Sequence, residues 1–76
     1  MKLKMTVHFQ ARLGERNIDI DHVKQAIRSP DSKESVFDGK IKVTKKIDGK
    51  EIEVIYSREA FKDKEDEYLL VTAYYK

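Results

Sequence analysis

The 76-residue chain contains no cysteine and no tryptophan, one proline and three glycines. Without cysteine there are no disulfide cross-links, thiol nucleophiles or thiolate metal sites, so packing alone must hold the domain together. No apolar run approaches the roughly 20 residues that span a bilayer, and the opening "MKLKMTVHF" lacks the uninterrupted apolar stretch of a signal peptide. The expected location is the cytoplasm, with no membrane partner. There is no phosphate-cradling glycine loop, serine-nucleophile elbow, or zinc or calcium ligand spacing, so neither a metal nor a cofactor is expected. A large charge excess is missing too: 16 Lys plus Arg against 14 Asp plus Glu leave +2, too little to argue by itself for nucleic-acid binding.

A chain this short buries about 60% of its unfolded surface, which leaves room for one core; residues 1–76 are expected to form a single domain. At ordinary densities its net stability is about 4–11 kcal/mol. The charges are segregated. Gly39 to Lys50 carries five lysines and one aspartate, whereas Asp63 to Glu67 carries four acids and one lysine.

Helical periods dominate up to Pro30 and strand periods follow, which predicts an α+β fold: an N-terminal helix pair packed on an antiparallel β-meander of three to four strands. Thr6 suits the N-cap of a helix over about residues 7 to 16, and Asn17 suits the left-handed position that ends it. Asp19 caps a second helix with Ile18 and Val23 at staple spacing, and Pro30 stops it near Arg28. Asp38-Gly39 and Asp48-Gly49 each suit a two-residue hairpin turn. For the second turn that register sets Ile47 against Lys50, Lys45 against Ile52, Val43 against Val54 and Ile41 against Tyr56. Lys45 then falls on the apolar face, where it must snorkel out, occupy a site, or be removed by a bulge near Lys45-Lys46. After the charge-rich "SREAFKDKEDE" comes a last strand over about Glu67 to Tyr75, in which Leu69, Val71 and Ala73 alternate with Leu70, Thr72 and Tyr74.

Three basic groups recur at intervals of four in "TVHFQARLGERN": His8, Arg12 and Arg16. Helical spacing puts them on one side, flanked by Phe9 and Leu13 that point to the core. One imidazole with guanidinium groups suits phosphodiester chemistry, since histidine moves protons near neutral pH and arginine binds phosphate through its planar fork. Cleavage of RNA needs no metal, because the ribose 2′-hydroxyl is the nucleophile. The bland alternative is a solvated face in which Arg12 pairs with Glu15. His22 beside Asp19 and Asp21 suggests a metal site or a dyad, but it lacks a second histidine one turn away and reads rather as a solvated helix-start residue. Tyr74 and Tyr75 read as strand packing residues, or as rings that bind a base or pass a proton.

The run "HFQARLGERNIDIDHVKQAIRSPD", the Gly-Lys hairpin strands and the closing "LLVTAYY" together resemble the small prokaryotic domains grouped as domain-of-unknown-function family 4258, over almost the whole chain. The most specific match is His8, Arg12, Glu15-Arg16, Asn17, Asp19 and Pro30, with Thr72 and Tyr74 in the closing strand and Lys45 or Lys46 as the basic strand residue. Asn17 departs from the glycine of many relatives, and Gly14 lies within the first helix. The resemblance implies a helix pair on an antiparallel sheet, similar to ribonuclease toxins of the RelE and colicin type.

The leading expectation is a metal-independent ribonuclease or toxin-like RNA-cleaving domain. His8 is its general base or acid, Arg12 and Arg16 hold the scissile phosphate, Lys45, Lys46 and Thr72 bind substrate, and Tyr74 stacks a base or relays a proton. RNA and a neutralising antitoxin protein are the expected partners. The competing expectation is a non-catalytic module that binds protein or nucleic acid through its sheet or basic edge.

Overall fold

A computed structural model describes residues 2–36, 38–57 and 67–76. In chain order its elements are β1 (Lys2–Met5), α1 (Val7–Glu15), α2 (Ile20–Arg28), β2 (Ser32–Ser35), β3 (Lys40–Ile47), β4 (Lys50–Ser57) and β5 (Glu67–Tyr75). The Thr6 side chain accepts the Phe9 N–H and caps α1, and Asn17, at φ 49°, takes the left-handed position after it. The Asp19 carboxylate accepts the Asp21 N–H and caps α2, while Ile18 and Val23 are both buried as the staple spacing requires. Of the charge-rich stretch before β5, positions 58–66 lie outside the described residues.

The five strands form one mixed sheet in the order β1-β5-β4-β3-β2, so the fold is α+β, but the antiparallel meander of three to four strands needs correction. β1 pairs parallel to β5, with Lys2 opposite Glu67 and Met5 opposite Leu70. Four residues are too few for a period to register in a sequence, and the strand exists because a partner more than sixty positions away supplies its hydrogen bonds. The β3–β4 register is the expected one throughout, and the turn between them has φ 51° at Asp48 and φ 80° at Gly49, as a type I′ hairpin demands. The β2–β3 turn is longer than expected. Ser35 faces Ile41 and the Val36 N–H donates to the Lys40 carbonyl, so four positions, 36–39, separate β2 from β3.

β5 does not keep the simple alternation its sequence suggests. Tyr56 pairs with Leu70 but Ile55 pairs with Thr72, which makes Val71 an extra residue on the β5 side. That bulge reverses the strand's facing, so Leu70 before it and Ala73 after it are both fully buried under the helices. Thr72 and Tyr74 consequently share the opposite face with their partners Ile55 and Glu53.

Phe9, Ile18, Val23, Ala26 and Ile27 from the helices meet Val43, Ile52, Val54, Tyr56, Leu70 and Ala73 from the sheet in one core. Lys45 lies on this face, as the register requires, and no bulge removes it. Its ammonium reaches out to the Ser29 carbonyl at 2.8 Å and stands 3.8 Å from Asp31, a cation at the C-terminal end of α2 where the helix dipole favours one.

Phe9 is 1% exposed and joins α1 to the sheet. Phe9→Ala is expected to cost about 3–5 kcal/mol, a large part of the total for a chain of this length. Urea unfolding read by circular dichroism measures it; a loss below about 1 kcal/mol would mean that α1 does not depend on this contact.

Candidate functional site

The described residues form an open concavity of about 520 Å³ where the end of α1 meets the end of β5; Arg16, Tyr74 and Tyr75 line it. β1 pairs with β5 only as far as Leu70, so among the described residues the outer edge of β5 beyond the bulge has no strand beside it. Arg16 fills that gap. One guanidinium nitrogen donates to the Ala73 carbonyl at 2.9 Å, and the charge lies 5.8 Å from the centre of the Tyr74 ring. A guanidinium has five N–H donors, so this single bond leaves most of the fork for an anion in the concavity.

The two tyrosines point to opposite faces of β5 because they are neighbours in a strand. Tyr74 lies on the face away from the helices and donates its hydroxyl to Glu53. Tyr75 lies on the helix face, where its oxygen accepts the Asp19 N–H at 3.1 Å and lies 2.9 Å from Nδ1 of His22. The rings of His22 and Tyr75 meet edge to face at 6.0 Å. Nε2 of His22 is 3.7 Å from Oδ2 of Asp19, and the Lys50 ammonium stands 5.4 Å from the centre of the Tyr75 ring.

Of the residues expected from the sequence, Arg16 and Tyr74 come together, with Thr72 on the same face of β5 as Tyr74. His8 is exposed on α1, eight residues before Arg16 and thus about 12 Å along the helix from it. Arg12 pairs with Glu15, as the solvated-face alternative anticipated, and its Nε is buried without a hydrogen-bond partner. Lys45 is held at the end of α2 on the other side of the sheet from Tyr74. Lys46 shares the face of Tyr74 but sits two strands away, roughly 10 Å, and its backbone N–H is taken by Asp31. Sequence reasoning passed over Asp19, His22 and Tyr75 as a group. Asp19 and His22 are visibly three apart, but Tyr75 is 53 positions from His22 and reaches it only through the reversal at the bulge.

Glu53 is 4% exposed although it faces away from the helices. Burial alone pushes a carboxyl's pKa up; here the hydrogen bonds from Tyr74 and Lys76 and the charges of Lys76 and Lys42 outweigh it, and the pKa lies below its ordinary value. The same contact raises the Tyr74 phenol, with burial adding to it, so Tyr74 stays a protonated donor near neutral pH and offers the concavity its ring rather than a base. Lys76 is 3.1 Å from the other Glu53 oxygen, and Lys42 pairs with Glu34 at 2.7 Å. A folded pKa below the unfolded one means that Glu53 stabilises the fold above the unfolded value and ceases to as the pH falls through the folded one. Glu53→Gln is therefore expected to destabilise at about pH 7, with the gap from wild type closing as the pH drops below about 4. Urea midpoints at about pH 7 and about pH 3 check this; a gap that is constant between them would show that the carboxylate's charge contributes nothing.

No curated protein and no solved structure matches the chain, and no helix among the described residues is long and apolar enough to cross a membrane. A family model does match: residues 5–75, nearly the full length, fit Domain of unknown function (DUF4258), and the chain belongs to that family.

Proposed function

We propose that this is a metal-independent RNA-cleaving domain of the toxin-like kind, whose substrate site is the concavity at the end of β5. The carrying observation is the guanidinium of Arg16 beside the ring of Tyr74 in an open hollow. An arginine fork suits a phosphate and an exposed aromatic face suits an unpaired base, and single-stranded RNA presents the two side by side. In this reading Arg16 holds the scissile phosphate, Tyr74 stacks a flanking base, and Thr72 contacts the same strand. Arg12 and His8 continue along α1 toward neighbouring phosphates. The helix pair on a sheet supports, by analogy alone, a relation to RelE- and colicin-type ribonuclease folds, and with it a neutralising antitoxin protein as partner.

Degradation of a single-stranded RNA by the purified protein with chelator present tests the reading. Arg16→Ala is expected to lower the rate by about 10²-fold or more, through loss of charge stabilisation at the phosphate. If wild type and Arg16→Ala leave the same residual background, the RNA-cleaving reading is wrong. His8→Ala settles the sequence-based role: a loss of about 10²-fold or more assigns it proton transfer, and an unchanged rate removes it from the chemistry.

A second reading, binding without cleavage, is favoured by one observation: His8 lies about two helical turns from Arg16 rather than beside it. Under it the protein retains RNA intact, and replacing Lys40, Lys42 and Lys46 by Ala lowers the salt dependence of binding by about 0.7 in log–log slope for each phosphate the lysines had neutralised. Filter binding across a salt series reads that slope, and an unaltered one would take the basic strand out of the interface.

A further inference from the structure

We propose that Tyr75 is the proton-accepting group of the concavity, made competent by His22 and oriented by Asp19. The inference rests on the RNA-cleaving reading and supplies what that reading lacks, a proton acceptor from a residue that lines the same concavity as the phosphate-binding arginine. Tyr74 cannot serve, since its hydroxyl is committed as a donor to Glu53.

The contacts around the Tyr75 hydroxyl set out a path for its proton. The Asp19 N–H donates to the Tyr75 oxygen, which leaves the phenolic proton free to point elsewhere. Nδ1 of His22 stands 2.9 Å from that oxygen, and Nε2 stands 3.7 Å from the Asp19 carboxylate. At 3.7 Å the Asp19 carboxylate acts on Nε2 as a charge rather than as a hydrogen-bond partner; in the proposed relay that charge favours the tautomer with its proton on Nε2, which leaves the Nδ1 lone pair to take the phenolic proton. A carboxylate, an imidazole and a hydroxyl thus stand in series, the arrangement by which an oriented histidine activates a hydroxyl group. Among the described residues, the charged and titratable groups against His22 are Asp19, from the cap of its own helix, and Tyr75, from β5, with Lys50 of β4 beyond the Tyr75 ring. Once His22 is protonated, the Asp19 carboxylate balances the imidazolium.

The ribose 2′-hydroxyl gives its proton to the Tyr75 oxygen while the phenolic proton passes to Nδ1 of His22. The 2′-oxygen forms a bond to phosphorus as the bond from phosphorus to the 5′-oxygen breaks, giving a 2′,3′-cyclic phosphate. The departing 5′-oxygen takes a proton from water, and the imidazolium returns its own to solvent, so protons and electron pairs balance. Arg16, on the same concavity, is the group that meets the charge gathering on the phosphate oxygens. In this scheme Tyr75 touches the substrate, whereas His22 and Asp19 act through it as positioning residues.

The experiment uses the full chain, a single-stranded RNA for cleavage and its all-deoxy analogue, which lacks the nucleophile, for binding. Tyr75→Phe is expected to keep binding within about twofold and to lose cleavage by about 10²-fold or more. His22→Gln is expected to bind normally and to lose the acid limb of the pH–rate profile, a change that a merely structural histidine does not produce. Cleavage by Tyr75→Phe within about threefold of wild type, while Arg16→Ala is inactive, overturns the relay and leaves the RNA-cleaving reading intact. Cleavage lost only in proportion to binding also overturns it. If Tyr75→Phe does not fold by circular dichroism, the His22→Gln profile decides, and an unchanged acid limb overturns the relay. A wild type that never cleaves RNA removes the functional reading and the relay with it.

Discussion

One extra residue in β5 governs the site. Val71 has no partner of its own in β4, and by occupying that position it turns every later side chain of β5 over. Ala73 therefore joins Leu70 in the core, Tyr75 is delivered to the N-terminal end of α2, and Tyr74 is delivered to Glu53 on the other face. Continued simple alternation would have placed Tyr74 under the helices and Tyr75 away from His22. The three-residue spacing of the fully buried Leu70 and Ala73, which share the helix face, is the trace this leaves in the burial of the strand.

The same place in β5 anchors the start of the first helix. Thr6 gives both its N–H and its hydroxyl to the Leu70 carbonyl while its side-chain oxygen caps α1, so strand pairing ends and the helix begins at one residue. β1 stops there, and the rest of the β5 edge is left to a side chain. Arg16 satisfies the Ala73 carbonyl from the far end of α1 and in doing so brings its charge beside Tyr74. An edge that would otherwise invite another strand is blunted by an arginine, and the hollow next to it is the candidate site. The opposite edge, β2, is protected differently: it is four residues long, exposed throughout, and carries Lys33 and Glu34.

Local chemistry was legible in the sequence wherever a few neighbouring residues suffice. Thr6 and Asp19 cap helices because their oxygens reach N–H groups two or three residues away, and Asp48-Gly49 sets the β3–β4 register because both residues accept positive φ. That register identified Lys45 as the misplaced residue, and the structure answers with the Ser29 carbonyl at the end of α2. The longer turn at Asp38-Gly39 shows the limit of the same logic, since the dipeptide permits a turn without fixing how many residues it takes. For the site, the spacing of His8, Arg12 and Arg16 correctly set them along one helix. It carried no information about which of them would meet the sheet, and only Arg16 does so at the concavity.

By itself, then, the sequence determined the caps, the helix ends, the β3–β4 hairpin and an α+β composition, all of which follow from contacts within a few residues. The tertiary structure alone decided the parallel pairing of β1, the bulge at Val71, the burial of Glu53, and the meeting of Asp19 and His22 with Tyr75. Each of these joins segments that are far apart in the chain or depends on an inserted residue. A sequence pattern of period two or 3.6 describes one element's own faces, and it says nothing about what another element will bring against them.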